Sequence, residues 1–171
     1  MGVDPSPVRV GAVRETAGGR TGNEAVMTGE FIWPVRVYYE DTDAGGVVYH
    51  TNYLKFMERA RTEWLRQFGI EQDQLRREAQ VIFAVRALSV KYIHPASFNE
   101  QVVVITLIEK RRRASLVFDQ RIVRPKHAKL PDNFAASAGL LCRASVDVVC
   151  LDSHSWRPRP LPAALKVVIG S

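Results

Sequence analysis

Between residues 52 and 68 the hydrophobic period changes to that of a helix, and this change limits the possible folds more than any other feature of the chain. Tyr53, Leu54, Met57, Ala60, Arg61, Trp64, Leu65 and Phe68 fall on one broad stripe, while Lys55, Glu58, Arg59, Glu63 and Arg66 sit mostly outside it. Thr51 or Asn52 is placed to cap the start, and Gly69 to end the helix. A shorter helical piece is predicted over 72–79. Everything else that is regular reads as strand. Residues 31–39 (FIWPVRVYY) are aromatic and β-branched, with Pro34 near the start pointing to an edge position. Downstream, 81–92, 101–109, 115–124 and 140–151 are apolar and β-prone. One long helix with several long strands has a natural solution, a helix burying its stripe against one face of a curved antiparallel sheet in a two-layer α+β domain. Such a layer leaves strand edges and part of one sheet face uncovered, so self-association is expected.

With 171 residues, 46% of them apolar, the chain can build one domain with a real core but not two comfortable ones. We therefore expect a flexible extension over 1–30 and a single domain over 31–171. The extension is rich in glycine and lacks the apolar core of a secretory signal. Met1 to Ser6 match the loose pattern for N-myristoylation, and Met27 is an alternative start. No apolar run approaches the roughly 18 residues of a membrane span. Cys142 and Cys150 lie on one face of a single strand but too far apart along it for a disulfide, and neither belongs to a C-x-x-C pair that would bind zinc. Reduced, partly buried thiols fit a cytoplasmic protein. The net charge of +6 would attract polyanions, among them nucleic acid, an anionic membrane or the phosphates of coenzyme A.

The stretch YEDTDAGGVVYHTNY, residues 39–53, holds most of the chemistry. It sets a carboxylate-rich loop before Gly45 and Gly46, and these just before the helix start. A helix N-terminus carries unpaired N–H groups and partial positive charge, which can stabilise the oxygen of a thioester carbonyl. The glycines would let substrate approach the backbone without a Cβ clash. Asp43 could then serve as general base on water or attack the carbonyl itself. A plainer account is also open: Asp41 and Asp43 as turn residues, with the glycines supplying positive φ.

The run WPVRVYYEDTDAGGVVYH (33–50), with Tyr53-Leu54, ERARTE (58–63), SLVF (115–118) and QRIV (120–123), resembles the hotdog thioesterases. The closest likeness is to the YbgC type associated with the Tol–Pal system; the 4-hydroxybenzoyl-CoA thioesterases are more distant. The likeness spans about residues 31–165. It implies a hotdog fold, a curved sheet wrapped around the 52–68 helix. It further implies that Asp43 is the catalytic carboxylate, that the His50 backbone N–H polarises the thioester carbonyl, and that Tyr39 and the His50 side chain complete the catalytic set. Gly45, Gly46, Val47 and Tyr49 are then expected beside the substrate. An acyl-CoA or acyl-carrier-protein substrate, homodimers or homotetramers with sites at subunit interfaces, and no metal or organic cofactor are implied as well. The extension and the long 125–139 loop depart from the family pattern, which bears on substrate choice more than on chemistry.

Lys110, Arg111, Arg112 and Arg113 sit between two strands, with Arg124, Lys126, His127 and Lys129 following. Arg112 is the candidate contact for phosphates of coenzyme A, the alternative being a solvated turn. Asp41, Asp43 and His50 fall short of a closed metal site. Glu58 and Glu63 read as structural or surface groups, and His94 and His154 as loop residues. Three competing functions stand behind hydrolysis. A scaffold that binds acyl-carrier protein or lipid-synthesis enzymes is opposed by the intact Tyr39, Asp43 and His50. A nucleic-acid binder would want a basic stripe with interleaved aromatics, which is absent. A hotdog hydratase usually carries a different Asp/His motif.

Overall fold

A computed structural model describes residues 29–125 and 139–170 of the protein. The expectations placed on the extension, on most of the 125–139 loop, and on Lys126, His127 and Lys129 lie outside these residues. Strand β1 (Phe31–Arg36) is followed by a 3-10 turn (Tyr39–Asp41), helix α1 (Asn52–Arg66) and helix α2 (Gln72–Ala79). Four long strands come next: β2 (Val81–Tyr92), β3 (Gln101–Arg111), β4 (Ser115–Val123) and β5 (Leu140–Asp152). Helix α3 (Ala163–Ile169) ends the described chain. All strand pairs are antiparallel, in the order β1-β3-β4-β5-β2, so the architecture is the predicted α+β one. Register shifts at Val85/Ala87 in β2 and Ile108/Lys110 in β3 mark bulges, which bend and twist the strands they interrupt.

The core lies between α1 and the inner face of the sheet. Tyr53, Phe56, Met57, Ala60, Trp64 and Leu65 of α1 are buried there with Val102 and Val104 of β3, Leu116, Phe118 and Ile122 of β4, and Ala144, Val146 and Val148 of β5. Phe56, fully buried, belongs to the stripe although the sequence pattern did not include it. The helix ends at a left-handed Gly69 (φ +70), where the Gly69 N–H donates to the Arg66 carbonyl and the Ile70 N–H to the Leu65 carbonyl. This is the two-bond glycine cap expected of that position. Its start differs from expectation. Neither Thr51 nor Asn52 caps through its side chain; Thr51 already has helical dihedral angles, and the Asn52 amide is used elsewhere.

Two other differences concern strands. β1 stops at Arg36 rather than Tyr39, because Asp41 draws the following residues into the 3-10 turn by accepting the Tyr38 N–H at 2.9 Å. Pro34 sits on β1 at the edge of the sheet, where it needs hydrogen bonds on one side only. Both cysteines are free and more deeply buried than expected, and burial pushes the Cys142 thiol up to about 12.

One polar network crosses this apolar core. Gln120, fully buried on β4, donates from Nε2 to the Met57 carbonyl and to Thr106 Oγ1, each at 2.9 Å. Its Oε1 accepts Arg61 Nη1 at 2.6 Å. Desolvation pulls the Arg61 guanidinium below its ordinary value, opposed by Glu58. Satisfied in this way, the network ties the middle of α1 to the centre of the sheet. Gln120→Leu keeps the volume and strands these partners, so it should cost about 2–3 kcal/mol. Urea unfolding would show a lower midpoint at unchanged slope; an unaltered midpoint would mean that the bonds contribute nothing net.

Candidate active site

The loop between β1 and α1 is built almost wholly from its own hydrogen bonds. The Asp43 N–H donates to the Val47 carbonyl at 3.0 Å, and the Gly46 N–H returns to the Asp43 carbonyl at 2.9 Å. Gly46 takes φ +74, the left-handed value that closes such a turn cheaply only for glycine. The Gly45 N–H donates to Asp43 Oδ1 at 2.8 Å. One carboxylate oxygen is thus fixed by the turn, while Oδ2 has no partner among the described residues.

Gly45 has a more particular task than admitting substrate. A Cβ at this position would stand 3.1 Å from Asp43 Oδ1, closer than most side chains tolerate. The glycine therefore makes room for the carboxylate in its hydrogen-bonded position. Gly46 has open space around it, so its requirement is conformational.

The loop is locked to the helix start through Asp41. Its backbone carbonyl accepts the Tyr49 N–H and Asn52 Nδ2, both at 2.9 Å. Asn52 is buried, and its own N–H donates to the Tyr49 carbonyl at 2.8 Å. Asp41 is thus a structural turn residue, and Asp43, exposed, is the free one. The same folding leaves the His50 N–H without an acceptor among the described residues, at the positive end of α1.

Aromatic rings surround this end. The His50 ring lies 4.4 Å from that of Tyr49 and meets Tyr92 edge-on at 6.3 Å. Tyr92 Oη donates to the His50 carbonyl at 2.9 Å, pinning the first turn to the end of β2. Tyr53 Oη accepts the Ala96 N–H at 2.8 Å; burial pushes this hydroxyl above its ordinary value, so it stays protonated at neutral pH.

Asp43 borders two clefts. One is lined by Asp43, Val47, Val48, His50, Tyr53 and Tyr92, continuing to His94 and Pro95. The other is lined by Tyr39, Thr42, Asp43, Ala44, Gly46 and Phe98. Of the residues expected at the site, Val47 and His50 line the first cleft with Asp43, and Tyr39 and Gly46 line the second with it; Gly45 meets Asp43 through its N–H, and Tyr49 lies against the His50 ring outside both linings. Tyr92, Tyr53, Asn52 and Phe98 were missed. Tyr92 and Phe98 lie far along the chain from the motif, and only the pairing of strands brings them to it.

Arg112 is not brought to this place within one subunit. It follows β3, beside the Arg111–Leu116 pairing, whereas the site lies at the Tyr92–Cys142–Ile122 end of the same sheet. The six residues of β4 between these levels span about 20 Å. There Arg112 donates to Asp147 at 3.0 Å, next to Arg86 at 2.6 Å. Hydrogen bonds from Arg86 and then Arg112 hold the Asp147 carboxyl below its ordinary value.

Comparison with known proteins gives the family and the fold. A family model, the thioesterase-like superfamily, matches residues 37–169. An acyl-CoA thioester hydrolase YbgC of Escherichia coli is 47% identical over 135 residues, covering 79% of this chain and 92% of the relative. The acyl-CoA thioesterase YbgC of Haemophilus influenzae is 40% identical over 136 residues, covering 80% and 91%. Among solved structures, a probable thioesterase from Bartonella henselae superposes with TM-score 0.68 at 29% identity, covering 78% of this chain and 99% of the other. A 1,4-dihydroxy-2-naphthoyl-CoA thioesterase from Synechocystis reaches TM-score 0.71 at 23% identity, with 82% and 96% covered, which bears on the fold alone.

Two substitutions separate the local roles. Gly45→Ala should displace the Asp43 carboxylate by a few tenths of an ångström, lowering kcat about tenfold at nearly unchanged melting temperature. A parallel loss of stability would instead make Gly45 a folding residue. Asn52→Ala should cost about 1–2 kcal/mol by leaving the Asp41 carbonyl with a single donor, read by thermal unfolding.

Proposed function

The chain belongs to the thioesterase-like superfamily and has the hotdog fold of its structural neighbours, and on that premise we propose that it is an acyl-CoA thioesterase with Asp43 as its catalytic carboxylate. The observation that carries this reading is the pairing of a half-fixed carboxylate with an unclaimed helix N-terminal donor. Asp43 Oδ1 is held by the Gly45 N–H, and the His50 N–H has no acceptor among the described residues while His50 lines the adjoining cleft.

A thioester carbonyl oxygen placed on the His50 N–H is polarised by the donor and by the partial charge of α1. Asp43 then activates a water for attack on the carbonyl carbon, or attacks it directly and is released by water. Either course cleaves the carbon–sulfur bond and yields the free acid and the thiol. The His50 imidazole and the Tyr39 hydroxyl give polar support from either side of Asp43. Val47 lines the cleft, Tyr49 backs the His50 ring, and Gly46 keeps the turn low beneath the substrate. No cofactor enters this scheme.

We read the edge of β2 as the contact of a homodimer. Among the described residues this strand is paired only to β5, and Val85, Leu88 and Tyr92 on it are 46%, 48% and 45% exposed, which invites a second copy. Antiparallel pairing of two β2 strands would set the first half of one against the last half of the other. Arg112, and Arg86 beside it, stand level with the middle of β2 and would then lie along the seam between the two subunits, where they suit the phosphates of coenzyme A. Buried, unpaired thiols fit a cytoplasmic location, and among the described residues no helix is long and apolar enough to cross a membrane. A scaffold for acyl-carrier protein with weak turnover is the alternative reading.

Thiol release from short, long, branched and aromatic acyl-CoAs by wild type and Asp43→Asn tests the proposal. Turnover is expected for wild type, with kcat lowered about 10²–10⁴-fold in the variant. Full activity in Asp43→Asn would remove Asp43 from the mechanism. Absence of wild-type turnover on every acyl-CoA, with retained binding of acyl-carrier protein, would favour the scaffold.

A further inference from the structure

Asp43 stands where two clefts meet, and the polarising donor serves only one of them. We propose that the second cleft, walled by Tyr39 and Phe98, receives the acyl arm of the thioester, and that Phe98 determines which acyl groups are accepted. This rests on the proposed chemistry at Asp43.

Phe98 is a loop residue, 54% exposed, yet the backbone around it is firmly held. Residues 97–100 form a tight turn in which the Glu100 N–H donates to the Ser97 carbonyl at 3.2 Å, and Asn99 takes φ +64. Positive φ at the third position of a turn is what places the second residue, Phe98, at the tip. The turn is tied to the end of β1 by the Asn99 N–H on the Val37 carbonyl at 3.0 Å and the Val37 N–H on the Glu100 carbonyl at 2.9 Å. Arg36 Nη1 binds the Asn99 carbonyl at 2.7 Å, and Arg124 Nε holds the Glu100 carboxylate at 3.0 Å. Val47, in the catalytic loop, bridges to Ser97. Phe98 is therefore fixed relative to Asp43 from both sides.

Tyr39 completes the wall. Its ring, 81% exposed, meets Phe98 edge-to-face with centroids 6.1 Å apart. Two aromatic rings held in this way, beside a reactive carboxylate, form a rigid apolar surface on which a flat or bulky acyl group can stack. Beyond Asp43, the side chains of this cleft offer hydrogen-bonding groups only at Thr42 and the Tyr39 hydroxyl. The other cleft sets His50 and His94 among Val47, Val48, Tyr53, Tyr92, Ile93 and Pro95, and its two imidazoles suit the amide-bearing thiol arm. A thioester whose carbonyl lies over Asp43 must send its two arms in different directions. The cleft with the two imidazoles takes the thiol arm, and the paired rings of Tyr39 and Phe98 on the other side of Asp43 take the acyl arm.

The test compares benzoyl and acetyl thioesters of both coenzyme A and N-acetylcysteamine, using wild type, Phe98→Ala and Phe98→Tyr. Phe98→Ala should lower the benzoyl-to-acetyl ratio of kcat/KM about tenfold with either thiol, and Phe98→Tyr should restore it. The same ratio is read as affinity for the coenzyme A thioesters in the Asp43→Asn background, where it does not depend on turnover. Failure of hydrolysis is thereby separated from failure of this assignment. An equal loss on both acyl groups, or none, would overturn the proposal. A loss seen with coenzyme A but not with N-acetylcysteamine would assign the wall to the thiol arm. A change of mass by light scattering in Phe98→Ala would make it a subunit contact instead.

Discussion

Everything in this structure is positioned by the burial of α1 against the inner face of the sheet. Its large apolar side chains, Tyr53, Phe56, Met57, Trp64 and Leu65, each contribute about 1.5–3 kcal/mol when removed from water, before the entropy of ordering them is counted. Burial alone would leave the helix free to slide or rotate, because apolar contact is not directional. Gln120 removes that freedom. Its two donated bonds and one accepted bond have a single geometry, joining Met57 and Arg61 at the middle of the helix to Thr106 of β3. Once α1 is held there, its N-terminus is fixed in space, and so is the place where a carbonyl oxygen can be polarised.

The loop between β1 and α1 then needs little from the core. Asp41 turns inward and spends its side chain on the Tyr38 N–H and its carbonyl on Tyr49 and Asn52, so that Asp43 can stay outside with one oxygen unengaged. Two carboxylates two residues apart have opposite duties, and the difference is burial: Asp41 is enclosed and saturated, Asp43 is exposed and held by one backbone donor. The glycines divide the work in a similar way. Gly46 supplies a conformation, and Gly45 supplies space for the carboxylate.

The sheet's ordering has a functional consequence. Because β2 and β1 occupy the two edges, the end of β2 and the turn before β3 both reach the site from elements remote in sequence. Tyr92 arrives on the His50 side and Phe98 on the Tyr39 side, giving Asp43 two different neighbourhoods. The basic residues between β3 and β4 end up at the other end of these strands from Asp43.

Much of this was legible in the residues themselves. Hydrophobic period marked α1 and the strands, because a buried face imposes its repeat on the sequence wherever an element is long enough to show it. Its limits were equally physical. The last residues assigned to β1 went instead to the 3-10 turn, since the Asp41 carboxylate competes successfully for the Tyr38 N–H. Phe56 lay outside the apparent stripe because the sheet reaches further around α1 than one helix face. Asp43, the two glycines and His50 could be proposed from the sequence because they are nearly contiguous and the bonds they make depend on local backbone geometry. The roles of Asn52, Gln120, Tyr92 and Phe98 were decided by tertiary structure alone. Each acts on a partner between 11 and 63 residues away, and a single sequence carries no record of which distant groups the folded chain will bring within bonding distance.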